Sequence, residues 1–479
     1  MQSLEKTKFF NYSLLKQKIF VWLLYKKNIK IMLFILFGIL GYQSLEILDL
    51  KTQKKDQNIL FSIRSKSDFE DYYNASKTLK DKKSPYYEDR IINFLENIPK
   101  DLDLSKISEN INLLKGAGSY LYPPLFAFLI LPLTNFSYNI SAFIYQIFQL
   151  ILLLLSLFFL FRIPSYMDIK ISKRKVYLSV FLSLLAYFPL QVQNISNGNV
   201  GFILIFFISF SFYLYYKYNN IFNDFVNGIV IGLATVIKII PGFVVGFYFI
   251  RKRYKIIIGM IIGILLGILL PALYLGFEEN LQIFKTWYTL IIKTYQKYSV
   301  VRPYANNQTI SGALCKLLIP FSDFKQFQYG LPLSFINLST LQVSLMIKLI
   351  NNFILFNVVL ITLLLYFKKQ HNYFIFLLYL YFVLLSALLT SGISWYHTYG
   401  LLLIVYFFYF IYKYKYLKKH LKIFIIPVIY IWVFNLLPYR IKDFFSLYSF
   451  YTWINLIILI YLMINLYKYI FTRDVYGKV

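Results

Sequence analysis

A single cysteine, Cys315, in 479 residues excludes an internal disulfide and a thiolate metal cluster. Histidine is nearly as scarce, with three residues, and no spacing of His or Cys makes a zinc site. No Gly-rich loop that would cradle a phosphate is present, so the sequence calls for neither a metal nor a cofactor. Carboxylates are few, 21 Asp and Glu against 50 Lys and Arg. Charged residues make up 15% of the chain, well below the roughly 25% of a soluble domain. Alternating polarity, the mark of an outer-membrane barrel, is missing as well.

What is present is apolar surface, with 59% of the residues hydrophobic. Runs such as Ile31 to Tyr42, Ile144 to Phe161, Val200 to Tyr216, Ile256 to Tyr274, Phe353 to Phe367 and Leu456 to Ile464 recur along the chain. Most extend toward the ~20 residues that a helical span needs. The expected fold is all-α: a polytopic transmembrane helical bundle of about twelve spans. The first run lacks a small-residue cleavage site after it and is read as an uncleaved helix.

The formal net charge of +29 does not point to nucleic acid, because the basic residues stand in short clusters between apolar runs. That is the pattern of the positive-inside rule, and the charge suits anionic membrane lipids. The expected organisation is a cytoplasmic basic N-terminus (1–29), a transmembrane domain (30–471) and a cytoplasmic tail (472–479). The first helix leads outward into a polar loop, 49–120, expected to contain interfacial helices. This loop holds 12 of the 21 acidic residues, so most groups capable of acid or base chemistry lie outside the bilayer.

Two stretches must not cross as single helices if the basic clusters are to stay inside. One is Tyr122-Pro-Pro-Leu125 with the short apolar stretch to Leu133; a full crossing there would carry Arg162, Lys170, Lys173, Arg174 and Lys175 outside. The other is Asp224 to Ile250, expected to be two short helices hinged at Lys238 to Pro241, which returns Arg251, Lys252, Arg253 and Lys255 to the inside. The polar outer turns are then Gln191 to Asn199, Lys238 to Pro241, Arg302 to Thr309 and Ser391 to Thr398, sharing one side with the acidic loop. Such turns either line a site or simply touch water.

Within the loop, Ser67-Asp-Phe-Glu70 has the form of a capping box, and Phe69, Tyr72, Tyr73, Ser76 and Leu79 fall near one helical face. A helix along the membrane surface is expected. Asp68 would occupy its first turn, where the helix dipole favours a carboxylate with or without a functional role. Lys238, flanked by Val236, Ile237, Ile239 and Ile240, must either snorkel to the head groups or meet a partner such as a phosphate. His397 follows Trp395 by two residues; it serves either an interfacial aromatic belt or a phosphate and a proton. Of the 45 Tyr and 49 Phe, only Tyr72, Tyr73 and Tyr122 are singled out, as pocket walls.

Taken in order, these segments resemble glycosyltransferase family 87, polyprenyl-phosphate-sugar-dependent enzymes of the membrane-embedded GT-C superfamily. The resemblance runs through Asp68-Phe69, Tyr73, Ala75 and Ser84-Pro85-Tyr86, then Tyr122-Pro-Pro-Leu125 with Pro132-Leu133, Asn197-Gly-Asn199, and Gly228 to Gly232 leading to Lys238 and Pro241. It ends with Asn307-Gln308-Thr309 and Ser394-Trp395-Tyr396-His397. Where the family often carries a second histidine, this chain has Thr398.

The resemblance implies a GT-C-like bundle and transfer of a hexose, mannose in the family, from a polyprenyl-phosphate-linked donor to a hydroxyl of a lipid or glycan acceptor, with inversion. It implies a general base at Asp68, with Asp71 as its rival, and donor-phosphate binding by Lys238, His397 and Arg302. Asp71, Tyr72, Tyr122, Asn197, Asn199, Asn307, Gln308 and Trp395 would line the substrate pocket. The expected location is the cell membrane, a bacterial inner membrane, with the site on its extracytoplasmic face. A transporter of lipid-linked sugars is the competing class; it calls for repeat halves and intramembrane carboxylates, whereas the acids here crowd one loop.

Overall fold

The computed structural model describes residues 26–44, 67–86, 120–167, 170–293, 304–320, 334, 336–368, 372–412 and 420–472. The basic residues before Lys26, most of the acidic loop, Arg302, Lys413 to Lys419 and Arg473 lie outside the described residues. Among the described residues the regular structure is helical and strands are absent; the one bridge is an isolated pair, Asn307 with Trp395.

Among the described residues five helices are long and apolar enough to cross a bilayer: Tyr138–Tyr166, Tyr254–Leu275, Thr340–Phe367, Tyr373–Thr390 and Phe450–Phe471. Lys173–Ala186 and Phe188–Asn197 form a sixth if taken as one span bent by 62°. The bend falls at Tyr187, just before Pro189, which cannot donate into the preceding turn. Shorter apolar helices account for the rest of the bundle, so the expected dozen crossings depend on pieces that are individually below span length. Tyr373–Thr390 is the central pillar, with 89% of its span buried in protein, whereas Thr340–Phe367 is 22% buried and turns Leu341, Leu345, Leu349, Phe353, Phe356 and Val359 outward. This exposed apolar stripe is the surface a membrane protein presents to lipid.

The chain does break at Lys238. Ile221–Ile237 ends there in extended backbone, a tight turn covers Ile240–Val244, and Val245–Ile250 follows. The next helix, Tyr254–Leu269, packs on Ile221–Ile237 with Gly228 against Ile256 and Gly259, Gly232 against Met260 and Gly263, and Gly267 against Val236. Contacts that climb in the same sense along both chains mean the helices run parallel. The segment between them must therefore return across the bundle, as the charge clusters require. An ion pair, Arg253 to Asp224 at 2.8 Å, joins the two starting ends. The glycines permit the close approach: a Cβ on Gly228 would stand 2.1 Å from the Ile256 carbonyl oxygen, which as backbone cannot move aside.

The Tyr122-Pro-Pro stretch forms only Pro124–Ile130 and a tight turn, Leu131–Asn135. At ~1.5 Å per helical residue it is too short for the ~30 Å hydrocarbon layer. Pro124 opens the helix where its missing N–H costs nothing. Side chains satisfy the irregular backbone around it: Tyr120 donates to the Pro123 carbonyl (2.8 Å), Ser76 to Ala127 (2.7 Å), Tyr73 to Phe136 (2.7 Å), Tyr86 to Tyr122 (2.6 Å) and Trp287 to Leu121 (3.0 Å). Such backbone is tolerated at membrane depth only where protein supplies partners.

Candidate active site

Asp68–Lys80 is the loop helix that carries the first candidate residue. The Ser67 side chain accepts from the Glu70 amide at 3.3 Å, capping the helix start, and shares a hydrogen bond of 2.9 Å with the Tyr138 hydroxyl. The face formed by Phe69, Tyr72, Tyr73, Ser76 and Leu79 is buried. It is covered by protein, in an aromatic cluster with Tyr120, Phe126 and Tyr145 that also takes in Val200, Val236 and Ile237. Phe69 stacks on Tyr145 with centroids 4.5 Å apart, and Tyr72 meets Tyr122 and Phe126 edge-on. The helix is therefore docked on the same ends of the bundle that carry Asn199 and Lys238.

Docking brings Asp68 against residues from three distant segments. The Asn199 side-chain amide donates to Asp68 Oδ2 at 2.5 Å. Gly198 makes this approach possible: it ends the Phe188–Asn197 helix at φ 63°, a left-handed turn that glycine adopts without cost, and throws Asn199 back toward the loop helix. His397 Nε2 stands 4.0 Å from the same carboxylate oxygen, a gap too long for a direct hydrogen bond. Lys238, half-buried at the hinge, is the cation in electrostatic reach of both Asp68 and His397.

Burial pushes the Asp68 carboxyl up to about 6; the Asn199 hydrogen bond and the Lys238 ammonium oppose the rise, and the neighbouring Asp71 carboxylate adds to it. One-fifth of the Asp68 side chain remains accessible. The group is thus a carboxylate in a poorly solvated wall that a substrate hydroxyl can still reach, with basicity suited to neutral pH.

The other expected residues divide. Tyr72 is buried and its hydroxyl donates to that of Tyr122 at 3.2 Å, so both border Asp68. Asp71 and Asn197 are half-buried nearby in sequence, in the first turn of the loop helix and at the last residue before Gly198. Trp395 is half-buried and lies edge-on to His397, with centroids 5.7 Å apart. Asn307 and Gln308 are fully buried and serve the backbone instead of lining the pocket. Asn307 Oδ1 accepts from the Ser394 amide and Nδ2 donates to Gly392. Gln308 Nε2 donates to Ala305 and Ser446, while its Oε1 accepts from Thr452. They fix the Ser391–His397 segment from behind. Arg302 lies outside the described residues.

Sequence reasoning missed Lys316. It is fully buried, and its ammonium donates to the carbonyls of Ala305 (2.9 Å), Asn307 (3.1 Å) and Ser446 (2.8 Å). The signal was available, since a lysine within the apolar helix Ile310–Leu318 raises the same question as Lys238. Among the described residues no three His, Cys, Asp or Glu side chains gather into a metal-binding group.

No curated protein and no solved structure matches the chain. The model of glycosyltransferase family 87 matches residues 120–392. That stretch holds Tyr122, Asn199, Lys238, Asn307 and Gln308; Asp68 and His397 fall on either side of it and join it through the contacts above. Since the match spans more than half of the 479 residues, this membrane protein belongs to glycosyltransferase family 87.

Proposed function

We propose that the enzyme transfers a hexose, mannose by family resemblance, from a polyprenyl-phosphate-linked donor to a hydroxyl of a lipid or glycan acceptor. The observation that supports this most is the placement of one accessible, poorly solvated carboxylate, Asp68, against Asn199 with Lys238 and His397 alongside. Asp68 takes the proton of the acceptor hydroxyl as its oxygen bonds to the anomeric carbon. The bond from that carbon to the phosphate oxygen breaks, and its electron pair leaves with the phosphate. Attack opposite the leaving group inverts the anomeric centre. Lys238 and His397 stabilise the charge that remains on the phosphate, with Arg302 as a third donor-phosphate contact.

The site lies at the far end of the parallel helices from Arg251, Lys252 and Arg253. With that cluster cytoplasmic, the reaction faces the extracytoplasmic side. A donor with a lipid tail reaches it through the bilayer, which accounts for a site built among spans. Incubation of the purified protein with radiolabelled polyprenyl-phosphate sugars and a membrane lipid extract tests the assignment. Label is expected in a new glycolipid or glycan with inverted configuration. No transfer from any donor would replace the enzyme by a carrier of lipid-linked sugars.

A further inference from the structure

Three side chains on Tyr138–Arg162 carry polar atoms with no part in the site above, although the Tyr145 ring stacks on Phe69. Tyr145, Gln146 and Gln149 fall on one side of the helix and are each about 1% exposed. The Tyr145 hydroxyl, Gln146 Oε1, both amide atoms of Gln149, and Oδ1 of Asn194 and of Asn199 make no hydrogen bond of good geometry, although Tyr145 stands next to Gln149 and Asn199 next to Tyr122. Gln146 Nε2 donates to the Ile195 carbonyl at 2.8 Å, which holds that glutamine against the segment carrying both asparagines. The Tyr145 hydroxyl faces Gln149 and is within electrostatic reach of Tyr122 and Asp68. Tyr145 and Asn199 therefore stand beside the carboxylate, with Gln149 next to Tyr145 and Gln146 against the segment that carries Asn199.

Buried polar atoms are costly without partners, and a helix facing only apolar neighbours would carry leucine here. The set offers hydroxyl and amide donors beside several amide oxygens, and none of these side chains is charged. A phosphate finds no cation among them. A ring bearing hydroxyls, each both donor and acceptor, matches the mixture.

We infer that Tyr145, Gln149 and Asn199, backed by Gln146, form a carbohydrate subsite beside Asp68 that takes hydroxyls of a hexose. This rests on the reading of the protein as a sugar transferase. The hexose belongs either to the donor or to the acceptor, and kinetics separate the two.

The test uses the full-length enzyme in lipid nanodiscs with Tyr145→Phe and Gln149→Met, which remove polarity with little change in volume, and Gln149→Asn, which keeps the amide but withdraws it. Thermal unfolding and steady-state transfer are measured while each substrate is varied in turn. The apolar variants are expected to unfold at the same temperature or higher, because an unpaired buried group is gone. KM for one substrate is expected to rise about 3- to 10-fold per lost hydrogen bond, with weaker discrimination between epimeric hexose donors. A rise in donor KM assigns the subsite to the transferred sugar, and a rise in acceptor KM assigns it to the acceptor. Unchanged KM for both substrates in all three variants overturns the inference and leaves a buried-water site only. If the unaltered enzyme transfers no sugar, the function itself falls and the subsite falls with it.

Discussion

The side-chain amide of Asn199 donates to Oδ2 of Asp68 across 2.5 Å, joining residues 131 positions apart. It is one of two influences that hold the carboxyl down against burial; Asp71 acts the other way. Asn199→Ala should therefore raise the Asp68 pKa above about 6 and move the acid limb of kcat/KM to higher pH. Asp71→Asn should move it to lower pH. A base works deprotonated, so the first variant loses most activity in mild acid and recovers as pH rises, while the second retains activity further into acid. Rate profiles across about pH 5 to 8 decide; limbs that move together would remove Asp68 from the role of base.

Asp68→Asn should lower kcat by roughly 10²- to 10⁴-fold, the usual worth of a positioned base. Stability should not fall. The folded-state pKa is raised from 3.8 to about 6, so ionisation above that range works against folding and a neutral amide escapes the penalty. Loss of turnover with an unchanged or higher Tm, and with donor binding retained, is the expected result. Normal turnover would end the assignment.

Lys238→Met should cost about 10²- to 10³-fold in kcat, the range seen when one group that stabilises developing charge is removed. It should also carry the acid limb to higher pH, because the ammonium favours the Asp68 carboxylate. Head-group snorkelling as the sole role of Lys238 predicts neither change.

Lys316→Met would leave three buried carbonyls, those of Ala305, Asn307 and Ser446, without their shared donor. A loss of about 2 to 4 kcal/mol in stability is expected, measured by denaturation in detergent. Because Asn307 pairs with Trp395, the tryptophan emission should shift as well. A variant with unaltered Tm and emission would show that the clamp is dispensable.

The carboxylate, hinge lysine and histidine were legible because each broke a local rule: an acid opening an aromatic-faced helix, a cation amid branched aliphatics, a histidine in an outer turn. The return of the chain at Lys238 followed from charge parity, and the parallel glycine contacts give it a structural basis. Other features were hidden for a physical reason. Gln146 and Gln149 interrupt an apolar run, but nothing local reveals that Tyr145 turns its hydroxyl toward Gln149 near a loop helix more than sixty residues upstream. Asn307 and Gln308 were conspicuous in an outer turn, but which way an amide points is set by neighbours such as Ser394 and Ser446, far along the chain.

The glycine seam between Ile221–Ile237 and Tyr254–Leu269 gives the hinge cation a mechanical dependency. Lys238 is the first residue beyond a rod whose clearance from its twin is set at Gly228 and Gly232, where any side chain would have to lift one backbone off the other. Prying the rods apart would carry the ammonium away from Asp68 while leaving every polar group of the site intact. The spacing of two backbones in the bundle thus acts as a ruler for the distance between the Asp68 carboxyl and the Lys238 ammonium.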